Sequence, residues 1–326
     1  MKDIVIFSGS AHQTFANQIC EHLGTRVSPV RLSRFSNDCL QAQLLTNVRQ
    51  RDVYIIQPLV PRTQEHLMEL LLMIDAARGA SAAQITAVIP HYSYARSDKK
   101  DASRISLGGR LVADLLVTAG VSRVLTMQLH SPQVQGFFSC PVDQLTALGV
   151  LADHFRATDL SNGVVVSPDL GNAKNATQFA RLLGLPVAAG SKRRLADDRV
   201  VVDSIVGDVT GRHAIVLDDE IATGGSILEI TQRLRDFGVL SVTVACTHGL
   251  FAGRAVERLR ANEFIDNVVA TDTVPPPTGW PELTTISVAP LFAEAIGRIH
   301  QGRSVSKLFQ GVDPVYAPPT APAGLF

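Results

Sequence analysis

The residues best suited to chemistry lie between His213 and Leu228, in the sequence HAIVLDDEIATGGSIL. The apolar run over 214–217 predicts a buried strand of a parallel sheet, which delivers two adjacent carboxylates to its carboxyl end, where ligands bind. Two glycines flanked by hydroxyl side chains then precede a helix predicted over 227–237. Backbone N–H groups at such a turn can close around an anion, which the helix dipole favours. The stretch therefore predicts a phosphate cradle beside a pair of acids.

Carboxylates beside a phosphate cradle suit a sugar phosphate, because the acids can accept hydrogen bonds from ribose hydroxyls while the loop holds the phosphate. A plain alternative is an acidic strand end followed by a glycine turn and a serine N-cap, which is common in α/β proteins. The spacing alone leaves both interpretations open. The sugar-phosphate interpretation assigns ligand binding to Asp218, Asp219, Thr223, Gly224, Gly225 and Ser226.

Length and composition narrow the class of protein. The 326 residues suggest about two domains of ordinary size. Thirty basic and thirty acidic side chains leave no net charge, so no overall field draws the chain to nucleic acid or anionic lipid. The four cysteines form no CxxC pair, which favours a reducing, cytoplasmic setting. Since no apolar run is long enough for a signal peptide or a membrane span, we expect a soluble protein.

Hydrophobic patterning predicts alternating strands and helices. The predicted strands are 4–7, 53–57, 85–90, 124–127, 163–167, 186–189, 214–217 and 242–246, and the predicted helices are 14–23, 64–78, 106–119, 172–183, 227–237 and 289–300. Residues 53–90 and 214–247 share the order strand, loop, long helix, glycine, strand, which predicts an internal duplication. The expected fold is α/β, with two tandem domains over 1–147 and 148–309, each a parallel sheet covered by helices, and a proline-rich tail over 310–326.

Five further segments carry residues that could bind ligands. A basic loop reads HYSYARSDKK, and the planar guanidinium of Arg96 in it can stack on a base or clamp a phosphate. His130 and Asp169 each follow an apolar strand, so each falls at the same rim of its own domain. Phe35 begins a Phe-Ser-Asn turn, and residues 191–194 read SKRR. The plain alternatives are a solvated charge run, a structural histidine, a core phenylalanine and a basic surface turn.

Taken in order, these segments resemble the ribose-phosphate pyrophosphokinases, also called PRPP synthetases. The resemblance runs from residue 4 to about residue 309 and includes YARSDK, SPDLG, DDEIATGGS and THGLF. It implies the type I phosphoribosyltransferase fold in both domains. It also implies transfer of the β,γ-diphosphoryl group of ATP to the 1-hydroxyl of ribose 5-phosphate, giving PRPP and AMP, with Mg²⁺ as cofactor.

The resemblance also implies roles for individual residues. The implied roles are ATP binding for Phe35, Asn37, Arg96, Ser97, Asp98 and His130, metal binding for His130 and Asp169, and catalysis by the mobile-loop cations Lys192 and Arg194. The first domain would hold ATP and the second ribose 5-phosphate. Family members form hexamers built from dimers, in which the Phe35 loop reaches a neighbouring subunit's ATP site, so we expect a homo-oligomer or assembly with an active PRPP synthetase.

Several positions depart from the family pattern. Cys39, Gln128 and Ala222 stand where most members have an acid, Asn175 stands where most have arginine, and the loop after Asp101 is one residue shorter and lacks the usual proline. One interpretation is a working enzyme with altered kinetics or an altered sugar-phosphate acceptor. Another is a catalytically weak regulatory subunit that associates with an active PRPP synthetase. Retention of the cradle, the paired acids and the mobile-loop cations favours the enzyme.

A third class is the single-domain phosphoribosyltransferase or PRPP-binding regulator. Those proteins share the ribose-phosphate loop but lack the ATP-side segments, so the duplication and the Tyr-Ala-Arg segment ending at Arg96 argue against this class. Walker A and GxGxxG patterns are both absent from the sequence, which removes the ordinary P-loop and dinucleotide-binding interpretations.

Overall fold

The computed structural model describes residues 4–196 and 199–308, and it describes no side chains for 192–203 or 307. The strands are β1 (Ile4–Ser8), β2 (Val30–Arg34), β3 (Leu40–Leu44), β4 (Asp52–Ile56), β5 (Gln84–Ile89), β6 (Arg123–Met127), β7 (Val142–Leu145), β8 (Gly163–Ser167), β9 (Val187–Ala196), β10 (Arg199–Val206), β11 (His213–Ile221), β12 (Ser241–Gly249), β13 (Ile265–Thr271) and β14 (Leu283–Ile286). The α-helices are α1 (Gln13–His22), α2 (Thr63–Gly79), α3 (Gly108–Ala119), α4 (Leu148–Arg156), α5 (Ala173–Leu183), α6 (Gly225–Asp236), α7 (Ala255–Arg260) and α8 (Ala289–His300). Short 3₁₀ turns cover Ser93–Arg96, Pro132–Phe137 and Ser306–Leu308.

Two parallel sheets repeat one plan. The first has the strand order β1-β4-β5-β6-β7, and every neighbouring pair in it is parallel. The second has the order β10-β9-β8-β11-β12-β13-β14. Within it, the five strands β8-β11-β12-β13-β14 follow the same succession of strands and crossovers as the first sheet, and β9 extends the parallel part beside β8. The fold is therefore α/β with a duplicated domain plan, as the sequence pattern predicts.

The structure corrects several predicted boundaries. The helix predicted over 106–119 begins at Gly108, whose backbone N–H is capped by the Ser97 hydroxyl at 2.9 Å. The helix predicted over 227–237 begins two residues earlier, at Gly225. The strand predicted over 186–189 was too short, because β9 continues to Ala196 through the segment expected to be a basic turn. Antiparallel pairing with β10, which contains Val-Val-Val, extends it, and β10 is the exception to the expected all-parallel sheet.

One hydrophobic core joins the two halves. It contains side chains from both sheets together with those of helices α1 and α8. Phe15 of α1 and Phe292 of α8, both fully buried, meet edge to face with ring centroids 5.4 Å apart. Each sheet also packs a separate core on its other face. The two halves are therefore joined by shared apolar packing and not only by the segment of chain that connects them.

The proline-rich tail over 310–326 lies outside the described residues. Across 4–196 and 199–308, no helix combines the length and apolar character needed to cross a bilayer.

Candidate active site

The carboxyl ends of strands from both halves surround one cavity. It has a volume of about 340 Å³, and its wall consists of Arg96, Leu129, His130, Pro132, Asp169, Gly171, Asn172, Lys174, Asn175, Asp218, Asp219, Glu220 and Ser226. Arg96 and His130 follow strands β5 and β6 of the first sheet. In the second sheet, Asp169 follows β8, whereas Asp218 and Asp219 lie within β11. The structure thus brings together residues predicted for ATP, metal and ribose 5-phosphate.

A second, smaller cavity of about 130 Å³ adjoins the first. Its wall consists of Arg96, Asp218, Glu220, Ile221, Ala222, Thr223, Gly224, Gly225, Ser226 and Ile227. Gly224 is the N-cap of α6 and has a φ of +73°. This left-handed conformation costs residues other than glycine about 1–2 kcal/mol. The turn therefore exposes the amino end of a 12-residue helix to this cavity, as a phosphate cradle requires.

The paired acids of β11 have different electrostatic environments. The Asp219 carboxylate accepts a hydrogen bond from His130 Nδ1 at 2.7 Å. Burial raises the Asp219 pKa, but hydrogen bonds from His130 and Asp218 more than offset it and hold the pKa below its usual value. The same bond with Asp219 raises the His130 pKa. Burial and the neighbouring charge of Asp219 raise the Asp218 pKa well above its usual value. The pair thus combines an anion matched by His130 with a carboxyl that favours its protonated form.

Asp169 lies in a tight loop that follows β8. Its Oδ1 accepts a hydrogen bond from the backbone N–H of Asn172 at 3.2 Å, and the Ser167 hydroxyl donates to its carbonyl at 2.6 Å. Asn172 in turn donates from Nδ2 to the carbonyl of Leu217, which precedes the paired acids. The loop is therefore tied directly to β11. Among the described residues, no group of three or more His, Cys, Asp or Glu side chains is placed to hold a metal ion.

Sequence reasoning missed Glu220, which lines both cavities. Its carboxylate contacts His91 Nε2 at 3.0 Å and Arg96 Nε at 3.3 Å, so one side chain of the second domain binds two of the first. Burial raises the Glu220 pKa, but His91 and Arg96 more than offset it and lower the pKa. Strand periodicity could have pointed to Glu220. Residues two apart on β11 have their side chains on the same face of the sheet, so Glu220 lies on the face that carries Asp218.

Two predicted ATP residues support the loop that carries Arg96. The Ser97 hydroxyl accepts a hydrogen bond from the backbone N–H of Gly108 and so caps α3. Asp98 accepts a hydrogen bond from Gln133 Nε2 at 3.0 Å. Neither residue belongs to the wall of the two cavities. Their contacts fix the loop locally, and ATP binding by them stays a prediction.

Comparisons with known proteins agree with this geometry. The family described as the N-terminal domain of ribose phosphate pyrophosphokinase matches residues 4–120, and a phosphoribosyl synthetase-associated domain matches residues 200–310. A ribose-phosphate pyrophosphokinase of Deinococcus radiodurans is 47% identical over 313 residues, which are 94% of this chain and 98% of that protein. The chain belongs to the ribose-phosphate pyrophosphokinase family.

Other members of this family are similarly close. A protein of Streptomyces coelicolor, named as a candidate ribose-phosphate pyrophosphokinase, is 62% identical over 311 residues, which are 95% of this chain and 98% of that protein. The crystal structure of phosphoribosylpyrophosphate synthetase from Mycobacterium smegmatis is 37% identical, covers 92% of this chain and 100% of its own, and superposes with a TM-score of 0.87. The resemblance of the motifs is therefore a family relationship over nearly the whole chain.

The remaining residues with roles implied by the family resemblance either do not line the two cavities or have side chains outside the described residues. Phe35 and Asn37 sit in the β2–β3 turn, where Phe35 is 52% exposed and Asn37 Oδ1 accepts a hydrogen bond from the Cys39 backbone at 3.3 Å. Their predicted role in a neighbouring subunit's ATP site stays a prediction. The backbones of Lys192 and Arg194 lie in β9, and their side chains lie outside the described residues.

The departures from the ribose-phosphate pyrophosphokinase pattern have visible local consequences. Gln128 is buried at a φ of +41°, and its Oε1 accepts a hydrogen bond from the Thr146 hydroxyl at 3.0 Å. Asn175 donates from Nδ2 to Asn172 Oδ1 at 2.8 Å. Ala222 lines the smaller cavity and brings no charged group to it. Two of these side chains thus form neutral local contacts where most of the family has charge.

Proposed function

We propose that this protein transfers the β,γ-diphosphoryl group of ATP to the 1-hydroxyl of ribose 5-phosphate, giving PRPP and AMP. The supporting observation is the pair of adjoining cavities whose shared wall contains Arg96 from the first half and Asp218, Glu220 and Ser226 from the second. A donor in the larger cavity would lie beside an acceptor whose phosphate occupies the smaller one. Family membership over nearly the full chain supports the same reaction.

On the acceptor side, the cradle holds the 5-phosphate through backbone N–H groups at the start of α6. Asp219 accepts hydrogen bonds from ribose hydroxyls and keeps its charge because His130 pairs with it. The acceptor 1-hydroxyl oxygen forms a bond to the β-phosphorus and its proton is released to water. The bond from that phosphorus to the α,β-bridging oxygen breaks, and AMP leaves with that oxygen. Positioning and neutralisation of the phosphoryl oxygens supply most of the rate enhancement in such transfers.

On the donor side, Arg96 borders both cavities and provides a fixed positive charge for the triphosphate. Lys192 and Arg194 are proposed to contact the transferred group from the β9 segment. Because both are cations, they would stabilise the charge that develops on the equatorial oxygens.

The carboxylate-rich wall fits a magnesium ion. Mg²⁺ prefers oxygen ligands and is usually held by one or two carboxylates together with substrate phosphates and water. Asp218 supports the fit, because burial beside Asp219 raises its pKa and a bound dication would favour its ionised form. Asp169 and His130, which line the same cavity, are the residues proposed to hold the ion. Magnesium, when bound, neutralises charge on the ATP phosphates.

We expect the active form to be a homo-oligomer in the cytoplasm, a hexamer built from dimers. The exposed Phe35 turn supports this assembly, since it lies away from its own chain's cavity and an exposed aromatic ring can stack on a purine. Light scattering at micromolar concentration should give a mass well above the 35.0 kDa of one chain. A monomer as the sole species would contradict the assembly.

A second candidate is a catalytically weak subunit that associates with an active PRPP synthetase, or an enzyme with another acceptor. The observation that favours it is the loss of charge at two cavity positions, Asn175 and Ala222. Removing charged groups around a metal and sugar site weakens metal affinity and hydroxyl positioning.

A coupled assay for AMP release from Mg-ATP separates these candidates. Ribose 5-phosphate is tested first, then other pentose phosphates, with a sugar-free reaction as the blank. Release with ribose 5-phosphate supports the proposed reaction, and release only with another sugar supports the altered acceptor. If no sugar gives AMP release, both enzyme interpretations are wrong, and the regulatory subunit is the candidate that remains.

A further inference from the structure

The carboxylate of Glu220 joins the two halves of the protein at the junction of the two cavities. One oxygen contacts His91 Nε2 at 3.0 Å, and the other lies 3.3 Å from Arg96 Nε. Glu220 is 129 residues from His91 in sequence, so these contacts cross from β11 of the second sheet to the loop after β5 of the first. The same strand carries the paired acids Asp218 and Asp219.

The position of this carboxylate is well fixed. Glu220 is 9% exposed, and its backbone pairs with His248 of the neighbouring strand β12. The His91 ring is held by a hydrogen bond from Nδ1 to the Leu59 carbonyl at 2.9 Å and lies against the His248 ring, with centroids 4.8 Å apart. Glu220 therefore has a rigid backbone and a rigid partner on one oxygen.

Arg96, the second partner, is far less confined. Its side chain is 52% exposed and borders both cavities. Glu220 is its one ion-pair partner among the described residues. The contact uses Nε, which leaves the two terminal amino groups of the planar guanidinium to face a phosphate. A carboxylate this close to a polyphosphate site would repel the ligand unless a cation accompanied it.

We propose that Glu220 is a positioning residue that holds the Arg96 guanidinium at the junction of the two cavities. Through this contact, strand β11, which carries the acids proposed to bind the acceptor, positions Arg96, the cation proposed to bind the donor. This inference rests on the proposed function, because it treats Arg96 as a phosphate-binding residue. The alternative is that Glu220 serves only to anchor His91 and thereby the fold.

Glu220→Gln is the informative change, because it keeps the size of the side chain and removes the charge that attracts Arg96. We expect the Kd for a non-hydrolysable Mg-ATP analogue and the KM for Mg-ATP to rise, and kcat to fall, each by about 10- to 100-fold, as for a displaced substrate-positioning group. The KM for ribose 5-phosphate and the midpoint of thermal unfolding should change little. Asp208→Asn, which removes an exposed ion pair with Arg212 at 3.2 Å, is the matched control and should leave all values unchanged.

A double-mutant cycle separates positioning from anchoring. If Glu220 acts through Arg96, then Glu220→Gln should have little further effect on nucleotide affinity in an Arg96→Ala background. An additive loss in the double variant, or wild-type nucleotide affinity in Glu220→Gln, would overturn the proposal. So would an equal loss for both substrates together with a lower unfolding midpoint.

The two proposals fail separately. If the wild-type protein makes no AMP, the proposed reaction is wrong, and calorimetric titration of the ATP analogue into the wild type, the two single variants and the double variant still tests the Glu220–Arg96 coupling. If the wild type turns over normally and the cycle is additive, the reaction stands and the positioning role is wrong.

Discussion

Two of the three acidic residues that β11 contributes to the cavity wall have basic partners. His130 accompanies Asp219, and Glu220 lies between His91 and Arg96. Buried charges are costly unless they are paired, so these contacts keep several ionised groups at a site that excludes part of the water. Asp218 is the exception, since burial beside Asp219 raises its pKa. A cation bound beside Asp218, such as the Mg²⁺ that accompanies ATP, would favour the ionised form of this carboxyl.

Lys192→Ala tests the predicted catalytic cation. We expect kcat to fall by about 10²- to 10³-fold or more, because a charge aimed at the transferred group stabilises the transition state more than the bound substrate. The affinity for nucleotide, measured by titration with a non-hydrolysable analogue, should persist. Arg233→Gln, which removes a half-exposed cation of α6 outside both cavities, serves as the control for loss of a positive charge. Wild-type kcat in Lys192→Ala would remove this residue from the mechanism.

His248 predicts a specific dependence of stability on pH. It is fully buried, its Nε2 donates to the carbonyls of Met127 and Gln128, and burial together with the charge of His91 lowers its pKa to about 4. The unfolded chain therefore binds a proton at His248 more readily than the folded chain. The contribution of neutral His248 to the free energy of unfolding is therefore present in full above pH 6.5 and is lost as pH falls toward 4. The total loss is about 3 kcal/mol.

Urea unfolding at pH 7 and at pH 4.5 provides the measurement for His248. The free energy of unfolding of the wild type should fall more between these values than that of His248→Gln, which cannot titrate. The exposed His213→Gln variant should keep the wild-type difference. Equal pH dependence in wild type and His248→Gln would show that this histidine is not the source.

At the scale of elements, strand ends and one helix start determine where ligands can bind. The turn between β11 and α6 carries the cradle, and Arg258 of α7 donates from Nη1 to the Thr223 carbonyl at 3.2 Å. Gly224 supplies the left-handed conformation that begins the helix. The cradle thus depends on a backbone shape as much as on side chains.

Gly224→Ala tests that backbone shape. An added Cβ would meet Leu259 at 3.5 Å, which is ordinary contact, so the cost comes from φ rather than from a clash. We expect a loss of about 1 kcal/mol in stability and a higher KM for ribose 5-phosphate. Gly279→Ala is a matched control, because Gly279 also has a φ of +73°, with open space around it, and lies outside both cavities. A raised KM in the control, or none in Gly224→Ala, would contradict this interpretation.

The sequence predicts the long apolar elements well and the mixed ones poorly. The six predicted helices and eight predicted strands all occur, with boundaries shifted by a few residues apart from β9 and β11. The β2–β3 hairpin was missed because VRLSR and LQAQL are short and half polar, so only alternate side chains of each strand pack against the core. Glu220 was missed because its partners are distant in sequence. Periodicity identifies its face but cannot show what lies opposite.

At the scale of the whole molecule, apolar packing joins the two halves in addition to the side-chain contacts at the cavity. The shared core includes Phe155 and Phe179 from α4 and α5 together with Phe15 and Phe292. His300 at the end of α8 also contacts Asp52 at the start of β4, at 2.9 Å. Cooperative unfolding of both halves follows from a core that neither half completes alone.

Phe292→Ala tests this coupling. Deleting a fully buried ring that packs on Phe15 should cost about 3–5 kcal/mol of unfolding free energy. Differential scanning calorimetry should show one unfolding transition in the wild type and a lower midpoint in the variant. Leu240→Ala, at a 55% exposed position, should leave the midpoint nearly unchanged. Two separate transitions in the wild type would contradict a shared core.

The proposed reaction transfers a diphosphoryl group across the cleft between the two halves. ³¹P NMR of a reaction containing Mg-ATP and ribose 5-phosphate tests it most directly, because the spectrum separates AMP from ADP and shows which phosphorus is bonded to the sugar. We predict AMP and a new pyrophosphoryl group on the sugar in equal amounts. Formation of ADP with a sugar bisphosphate, or an unchanged spectrum after prolonged incubation with enzyme, would show that diphosphoryl transfer is not the reaction of this protein.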